Sequence, residues 1–132
     1  MIYIIFYNII YWILNNKMFL IIDDDPVITD LFNEALAMNG FAGDVLNDAT
    51  FAFSVLTSEP DKYDKVFVDM RMPGKSGVEL ANEINRIRPS LPVILMSTTE
   101  KDYDDIEGSN KNLFTFAVKP KNVEQIINLI SM

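Results

Sequence analysis

The sequence predicts an α/β fold in which helices cover both faces of a parallel sheet. Between Met18 and Met132, short apolar runs alternate five times with amphipathic patterns of helical period. Parallel strands need a crossover connection, usually a helix, so this alternation favours a (βα)5 three-layer sandwich. The predicted strands are 18–22, 41–46, 65–68, 93–96 and 113–118, and the predicted helices are 26–39, 49–58, 77–88, 99–107 and 121–131.

The first strand and the first helix have the clearest signals. Residues 19–22 are all apolar, as in a strand buried on both faces. Asp25 and Pro26 follow, which predicts a helix with Asp25 as its N-cap and Pro26 at its first position. Gly40 is expected to end this helix.

The second and third strand–helix units are less uniform. The second strand is the weakest apolar run and is expected nearer the sheet edge. Asp48 is a candidate cap for the second helix, and Pro60 is expected to end it. The third strand runs into a carboxylate, Asp69, and a loop with Gly74 leads to the third helix.

The last two units differ in how firmly their helices should be held. The fourth strand runs into Ser97, and the helix after it has only Tyr103 and Ile106 as apolar anchors. This helix is therefore expected to be the least stable one locally. The fifth strand runs into Lys119, and the final helix has a continuous isoleucine-rich face.

Composition excludes several functional classes. The chain has 132 residues, enough for one domain, and a net charge of −8, which argues against direct nucleic-acid binding. Zero cysteines exclude disulfides and thiolate metal sites and fit a cytoplasmic protein. Zero histidines mean that any phosphoryl group that arrives through histidine must come from another protein.

Residues 1–17 form an apolar N-terminal extension that differs from the rest of the chain. The run from Met1 to Leu14 is shorter than the ~20 residues that a membrane-spanning helix needs. Three interpretations stay open. Met18 is the native start and the segment is translated upstream sequence; the segment is a short membrane anchor; or it is an additional strand or self-association element. Membrane contact is expected only if the segment is native, and the folded domain is assigned to 18–132.

Polar groups follow four of the predicted strands at the point where each strand ends. Asp23 and Asp24 follow the first strand, and Asp69, Ser97 and Lys119 follow the third, fourth and fifth. The carboxyl ends of parallel strands meet at one sheet edge, and in the order 2-1-3-4-5 the first and third strands are neighbours there. Three acids, a hydroxyl and a lysine would then converge. Taken alone, the acidic run could instead be a solvated turn that caps a helix.

These residues resemble the receiver domain of two-component response regulators. The resemblance rests on the acidic pair in FLIIDDDP, Asp69 in VFVDMRMPGKSG, Ser97 in VILMST and Lys119 in FAVKP, and it covers residues 18–132. It implies a flavodoxin-like fold and a stand-alone signalling phosphoacceptor that is not an enzyme on other substrates. In that family the Lys119–Pro120 bond is typically cis, which would aim the lysine inward.

The resemblance also implies a role for each residue of the site. Asp69 would be the phosphoacceptor, with Lys119 and Ser97 contacting the phosphoryl oxygens. Mg²⁺ would be bound by Asp24, by Asp69 and by the backbone carbonyl of Arg71, with Asp23 acting through water. Asp25 is expected to be a helix cap, and Lys119 alone could be a surface lysine.

A conformational switch and protein partners follow from the same resemblance. Phe116 is a core residue by default, but it matches the switch aromatic of the family and would move together with Ser97. The face formed by the fourth helix, the fifth strand and the fifth helix would then change shape. The expected partners are a histidine kinase or histidine phosphotransfer protein, a downstream protein target, and a second copy in a phosphorylation-dependent dimer.

Two other functions are compatible with parts of the pattern. Asp23, Asp25, Ser97 and Lys119 also resemble the motifs of haloacid-dehalogenase-type phosphatases, but only Glu124 follows the lysine where that family needs an acidic pair. A phosphorylation-independent binding module is the other alternative. The complete set of acidic, hydroxyl and lysine residues argues against it.

Overall fold

The computed structural model describes Ile2, Phe6, residues 17–104, Ile106 and residues 114–132. Within these residues, five parallel strands form one sheet of order β2-β1-β3-β4-β5, which confirms the predicted fold. The elements in chain order are β1 Met18–Ile22, α1 Pro26–Asn39, β2 Ala42–Leu46, α2 Ala52–Ser58, β3 Lys65–Asp69, α3 Gly77–Ile87, β4 Val93–Ser97, α4 Lys101–Asp104, β5 Thr115–Val118 and α5 Val123–Ile130.

Two apolar cores lie on opposite faces of the sheet. Leu20 and Ile22 of β1 belong to the core that α2 and α3 cover, whereas Phe19 and Ile21 belong to the core under α1 and α5. Alternate residues of a strand point to opposite faces, so a strand that is buried on both sides has to be apolar throughout. Residues 19–22 are at most 2% exposed, and each contributes on the order of 2 kcal/mol by burial.

The turn between β1 and α1 is held by the predicted cap. The Asp25 carboxylate accepts a hydrogen bond from the Val27 amide at 2.9 Å, and Pro26 is the first helical residue. At the other end, Gly40 adopts a left-handed φ of 68° and closes α1, as expected. Asp25 therefore caps a helix, and the neighbouring acids Asp23 and Asp24 keep a fixed position at the end of β1.

Three helix starts differ from the sequence prediction, and local side-chain hydrogen bonds explain two of them. The Asp48 carboxylate accepts from the Thr50 amide at 2.7 Å, so it closes a turn, and α2 begins only at Ala52, after Phe51. The last helix begins at Val123 instead of 121, because the Asn122 side chain caps it by accepting from the Gln125 amide at 2.8 Å. In both cases the helix begins later than predicted, because a short polar side chain accepts a hydrogen bond from a backbone amide two or three residues further on.

Some predictions fall partly outside the described residues. Of the helix predicted at 99–107, α4 covers Lys101–Asp104, and residues 105 and 107 are outside the described part, as is residue 113 of the predicted fifth strand. Most of the segment 1–17 is also outside it, so the three interpretations of that segment stay predictions. Among the described residues, no helix has the length and apolar character needed to cross a membrane.

Gly77 sets the distance between α3 and the end of β3. A Cβ atom at this position would lie 2.0 Å from the Asp69 carbonyl oxygen and 2.6 Å from the Met70 Cα. The Gly77 amide donates to the Met70 carbonyl at 2.9 Å. Only glycine permits this backbone approach, which fixes the chain directly behind Asp69.

Gly77→Ala is expected to destabilise the protein by on the order of 3 kcal/mol, because the new methyl group collides with backbone that cannot rotate away. Gly74→Ala is the control: Gly74 has a φ of 80°, but an added Cβ there would meet no heavy atom within 4 Å. This control should lose only about 1 kcal/mol. Urea unfolding of both variants measures the difference, and equal losses would contradict the proposed role of Gly77.

Candidate functional site

The polar residues at the strand ends share one edge of the sheet. Asp23 directly follows β1, Asp69 and Ser97 end β3 and β4, and Lys119 directly follows β5. The strand register pairs Ile22 with Val68, Asp69 with Met96, and Ser97 with Val118. Because all pairs are parallel, the four ends lie side by side, as the sequence predicted.

Asp23 and Asp69 form a carboxylate cluster together with Asp24, the residue that follows Asp23. One carboxylate oxygen from each lies within 4.8 Å of the others. Asp23 and Asp69 are buried, at 0% and 2% exposure, and Asp24 is exposed. The cluster is therefore open to solvent on one side only.

Lys119 reaches into the carboxylate cluster. Its Nζ lies 3.2 Å from an oxygen of Asp23 and 3.2 Å from an oxygen of Asp69, and its side chain is only 12% exposed. The Lys119 amide donates to the Ser97 carbonyl at 2.7 Å, which continues the β4–β5 ladder beyond the last strand residue. The alternative of a surface lysine is therefore wrong. The described part of the chain contains no cis peptide bond, so the expectation of a cis Lys119–Pro120 bond is also wrong.

Burial and mutual repulsion perturb the ionisation of these groups. Burial, with the charge of Asp23 adding to it, raises the pKa of Asp69 to about 7. Burial also raises the pKa of Asp23, although the Asp25 amide and Lys119 oppose the shift. For Lys119, burial alone lowers the pKa, but Asp23 and Asp69 outweigh it and the net shift is upward. One partly buried ammonium thus compensates two buried carboxylates incompletely.

The carboxylate cluster fits a divalent cation that prefers oxygen ligands. Asp23 Oδ1 accepts from the Asp25 amide at 2.9 Å, and Asp69 Oδ1 accepts from the Arg71 amide at 3.1 Å. Among the described residues, however, the buried Asp23 Oδ2 has no hydrogen-bond donor, although Lys119 is near it. Mg²⁺ prefers oxygen ligands in proteins, and clustered carboxylates whose negative charge is only partly neutralised supply them.

A second polar cluster was not predicted from the sequence. The Ser97 hydroxyl, which is buried, donates a hydrogen bond to Oδ2 of the buried Asp102. Arg71 binds the same carboxylate with two donors, Nε at 3.1 Å and Nη2 at 2.5 Å. Arg71, followed by Ser97, lowers the pKa of Asp102 to about 2. We call Ser97, Asp102 and Arg71 the Ser97 network.

Phe116 is a candidate both as a core residue and as a switch aromatic. Its side chain is half-buried, and its ring contacts the ring of Tyr103 in α4 with centroids 5.1 Å apart. It belongs to neither of the two buried cores among the described residues. Phe116 therefore links β5 to α4 at the surface.

The chain belongs to the response regulator receiver domain family. The model of that family, described as "Response regulator receiver domain", matches residues 19–131. Receiver domains are the signalling phosphoacceptors of two-component systems, and their acidic cluster binds Mg²⁺. The carboxylate cluster lies at the position of the family's phosphorylation site.

Relatives and solved structures agree with this assignment. The chain is 26% identical to the two-component response regulator ARR14 of Arabidopsis thaliana and 28% identical to the transcriptional regulatory protein GlrR of Escherichia coli, over 83% and 84% of its length. It spans only 29% and 24% of the length of these two proteins. The response regulator protein TrrA of Thermotoga maritima, solved with Mg²⁺–BeF, is 28% identical with a TM-score of 0.75, over 87% of this chain and 96% of that one. TrrA has also been solved in complex with the histidine kinase ThkA; that TrrA structure is 26% identical with a TM-score of 0.72 and has the same coverage of both chains.

Asp69→Asn is expected to alter the pH dependence of stability when divalent cations are absent. The folded pKa of about 7 lies above the ordinary value of 3.8, so the folded state binds this proton more tightly than the unfolded state. The resulting stabilisation is fully present below about pH 4 and is lost as the pH rises to about 7. Over this pH range the free energy of unfolding of wild type should therefore fall by a few kcal/mol more than that of Asp69→Asn, at about 1.4 kcal/mol per pKa unit.

Urea unfolding in EDTA at several pH values measures this difference. Asp30→Asn, which removes an exposed carboxylate of α1, is the matched control and should follow wild type. Parallel pH curves for wild type and Asp69→Asn would show that Asp69 is not the strained carboxylate.

Proposed function

We propose that Asp69 accepts a phosphoryl group from the phosphohistidine of a histidine kinase or a histidine phosphotransfer protein. The observation that carries the proposal is the position of Asp69. Its carboxylate ends the central strand β3, lies within 3.2 Å of the Lys119 ammonium, and shares the cluster with Asp23 and Asp24. These 132 residues contain no histidine, so the phosphohistidine lies outside them.

The transfer is a substitution at phosphorus. A carboxylate oxygen of Asp69 forms the new P–O bond, and the P–N bond to the partner's imidazole breaks with its electron pair going to nitrogen. Little covalent chemistry is asked of the protein, because positioning and charge neutralisation supply most of the catalysis in phosphoryl transfer. Lys119 is placed to neutralise the oxygens of the incoming group.

Asp24 and Asp69 would hold Mg²⁺ directly, together with the backbone carbonyl of Arg71, and Asp23 would hold it through water. The bound ion supplies positive charge to the phosphoryl oxygens. The under-compensated charge of the carboxylate cluster supports this assignment, since a cation relieves the repulsion between the buried acids.

Signalling then depends on the face formed by α4, β5 and α5. The acyl phosphate adds charge and acceptor oxygens at Asp69, and the Ser97 hydroxyl moves to one of them. The Phe116 side chain then moves as well, and this changes its ring contact with Tyr103 in α4. The changed face binds a downstream protein or a second copy of the chain. The complex between TrrA and a histidine kinase supports a kinase as the phosphodonor.

Phosphorylation is tested with a small-molecule donor. Wild type incubated with acetyl phosphate and Mg²⁺ is expected to gain one phosphoryl group in intact-mass measurements, because the cluster supplies the whole of the acceptor chemistry. Asp69→Asn should gain none, and EDTA should suppress labelling of wild type. Asp30→Asn, an exposed change on α1, should be labelled like wild type.

Three outcomes would count against the proposal. An unlabelled wild type would leave a phosphorylation-independent binding module, and labelling of Asp69→Asn would place the acceptor elsewhere. A phosphoryl group mapped to Asp23 by peptide mass spectrometry would favour the phosphatase alternative.

We also propose that residues 18–132 form the receiver domain and that residues 1–17 lie outside it. Met18 is already the first residue of β1, pairs with Ala42 of β2, and its amide donates to the Asp64 carboxylate at 2.8 Å. A chain that begins at Met18 should therefore keep the urea midpoint of the full chain and be phosphorylated equally well. Loss of cooperative unfolding in the shorter chain would show that the extension contributes to the fold.

A further inference from the structure

The Ser97 network joins the loop that follows β3 to the end of β4 and to α4, which lies just after it in the sequence. Arg71 lies two residues after Asp69 and donates its amide to the Asp69 carboxylate at 3.1 Å. Its side chain binds Asp102 in α4, and Asp102 accepts from the Ser97 hydroxyl at the end of β4. The network thus connects the phosphoacceptor loop to the start of the proposed switch face.

We propose that Asp102, clamped by Arg71, is a positioning residue that retains the Ser97 hydroxyl and so opposes the switched state. The proposal rests on the function proposed above for Asp69 and Ser97. It assigns to α4 a restraint that phosphorylation has to release, and it makes Asp102 a determinant of how readily the protein switches.

The Ser97 hydroxyl has a single proton to donate. A serine hydroxyl carries one proton, which can be donated to one strong acceptor at a time. In this structure the proton of Ser97 goes to Asp102. The only further contact of the Ser97 oxygen among the described hydrogen bonds is a long one, in which it accepts from the Thr99 amide at 3.5 Å. Bonding to a phosphoryl oxygen therefore requires that the bond to Asp102 is broken.

Asp102 is held in its accepting position by burial and by Arg71. The side chain of Asp102 is buried, and the Arg71 guanidinium engages both of its carboxylate oxygens. Such a two-point contact fixes orientation as well as distance. Because an ionised carboxylate, like an anionic phosphoryl oxygen, is a strong acceptor, Asp102 competes directly with the phosphoryl oxygens for the Ser97 proton.

The consequence is a shift in population. Any weakening of the bond between Asp102 and Ser97 reduces the cost of the switched arrangement, and the switched arrangement is the one that stabilises the phosphoryl group. Asp102→Asn keeps the size of the side chain but loses its charge and the ion pair with Arg71. We therefore expect this variant to be phosphorylated faster than wild type.

The test compares initial rates of labelling by acetyl phosphate and Mg²⁺ on the full chain. Asp102→Asn should react at least about fivefold faster than wild type, as expected for weakening one charge-assisted hydrogen bond. Asp104→Asn, which removes an exposed charge from the same helix, should stay within about twofold of wild type. Arg71→Lys keeps the charge but not the two-point contact, and should show a smaller acceleration. Arg71→Lys keeps the test valid if Asp102→Asn folds poorly.

A second background separates positioning from general electrostatics. If Asp102 acts through the Ser97 hydroxyl, Asp102→Asn should change the rate by less than about twofold when Ser97 is already alanine. An equal acceleration in both backgrounds would overturn the proposal, because the effect would then come from the lost charge alone. A wild-type rate for both Asp102→Asn and Arg71→Lys would overturn it as well.

A measurement without any phosphodonor distinguishes failure of this proposal from failure of the proposed function. In urea unfolding, Ser97→Ala and Asp102→Asn should be non-additive, with a coupling of at least about fivefold in the unfolding equilibrium constant. Additive effects of the two substitutions on the free energy of unfolding would show that Ser97 and Asp102 are not coupled, and would overturn the proposal even if Asp69 is phosphorylated. An unlabelled wild type with intact coupling would instead reject the phosphoacceptor function and leave the contact between Ser97 and Asp102 established.

Discussion

The crowding of negative charge at the carboxyl edge of the sheet is the constraint on which this site depends. Two buried carboxylates, Asp23 and Asp69, share one partly buried ammonium, that of Lys119, and a third carboxylate, Asp24, adjoins them. The Asp25 and Arg71 amides each donate to one of the buried acids, which relieves part of the repulsion. Burial, with the remaining repulsion from Asp23 adding to it, raises the pKa of Asp69, so that a proton on this carboxyl group stabilises the folded state.

The surrounding fold can sustain this strain because its other contacts leave little freedom. The central strands β1, β3 and β4 are buried on both faces, so their ends cannot shift relative to one another without exposing core. Gly77 brings α3 against the backbone of Asp69 at a distance that no other residue allows. The rigid sheet thus holds in place a set of charges that would otherwise separate.

Helix α4 connects this rigid site to the surface. Two adjacent residues of α4 have contacts in different directions: Asp102 binds Ser97 and Arg71 beside the site, and Tyr103 contacts Phe116 of β5. A change at the Ser97 hydroxyl is therefore one residue away from the ring contact on the proposed signalling face. Unlike the two cores, this connection depends on a few polar and aromatic contacts, as expected of an element of low local stability.

The sequence by itself determined the sheet order, the position of the site and the identity of its acids, hydroxyl and lysine. The site residues follow from local patterns, since four of the five apolar runs end on a polar residue that the strand carries to the common edge, whereas the sheet order follows from the flavodoxin-like fold class. It also predicted Asp25 as a cap, but it misplaced Asp48, because a turn and a helix compete for the same short side chain. Only the tertiary structure decided the partners of Arg71 and Lys119. Arg71 and Asp102 are 31 positions apart, and Lys119 and Asp23 are 96 apart, so no local pattern records either contact; folding of the sheet brings them together.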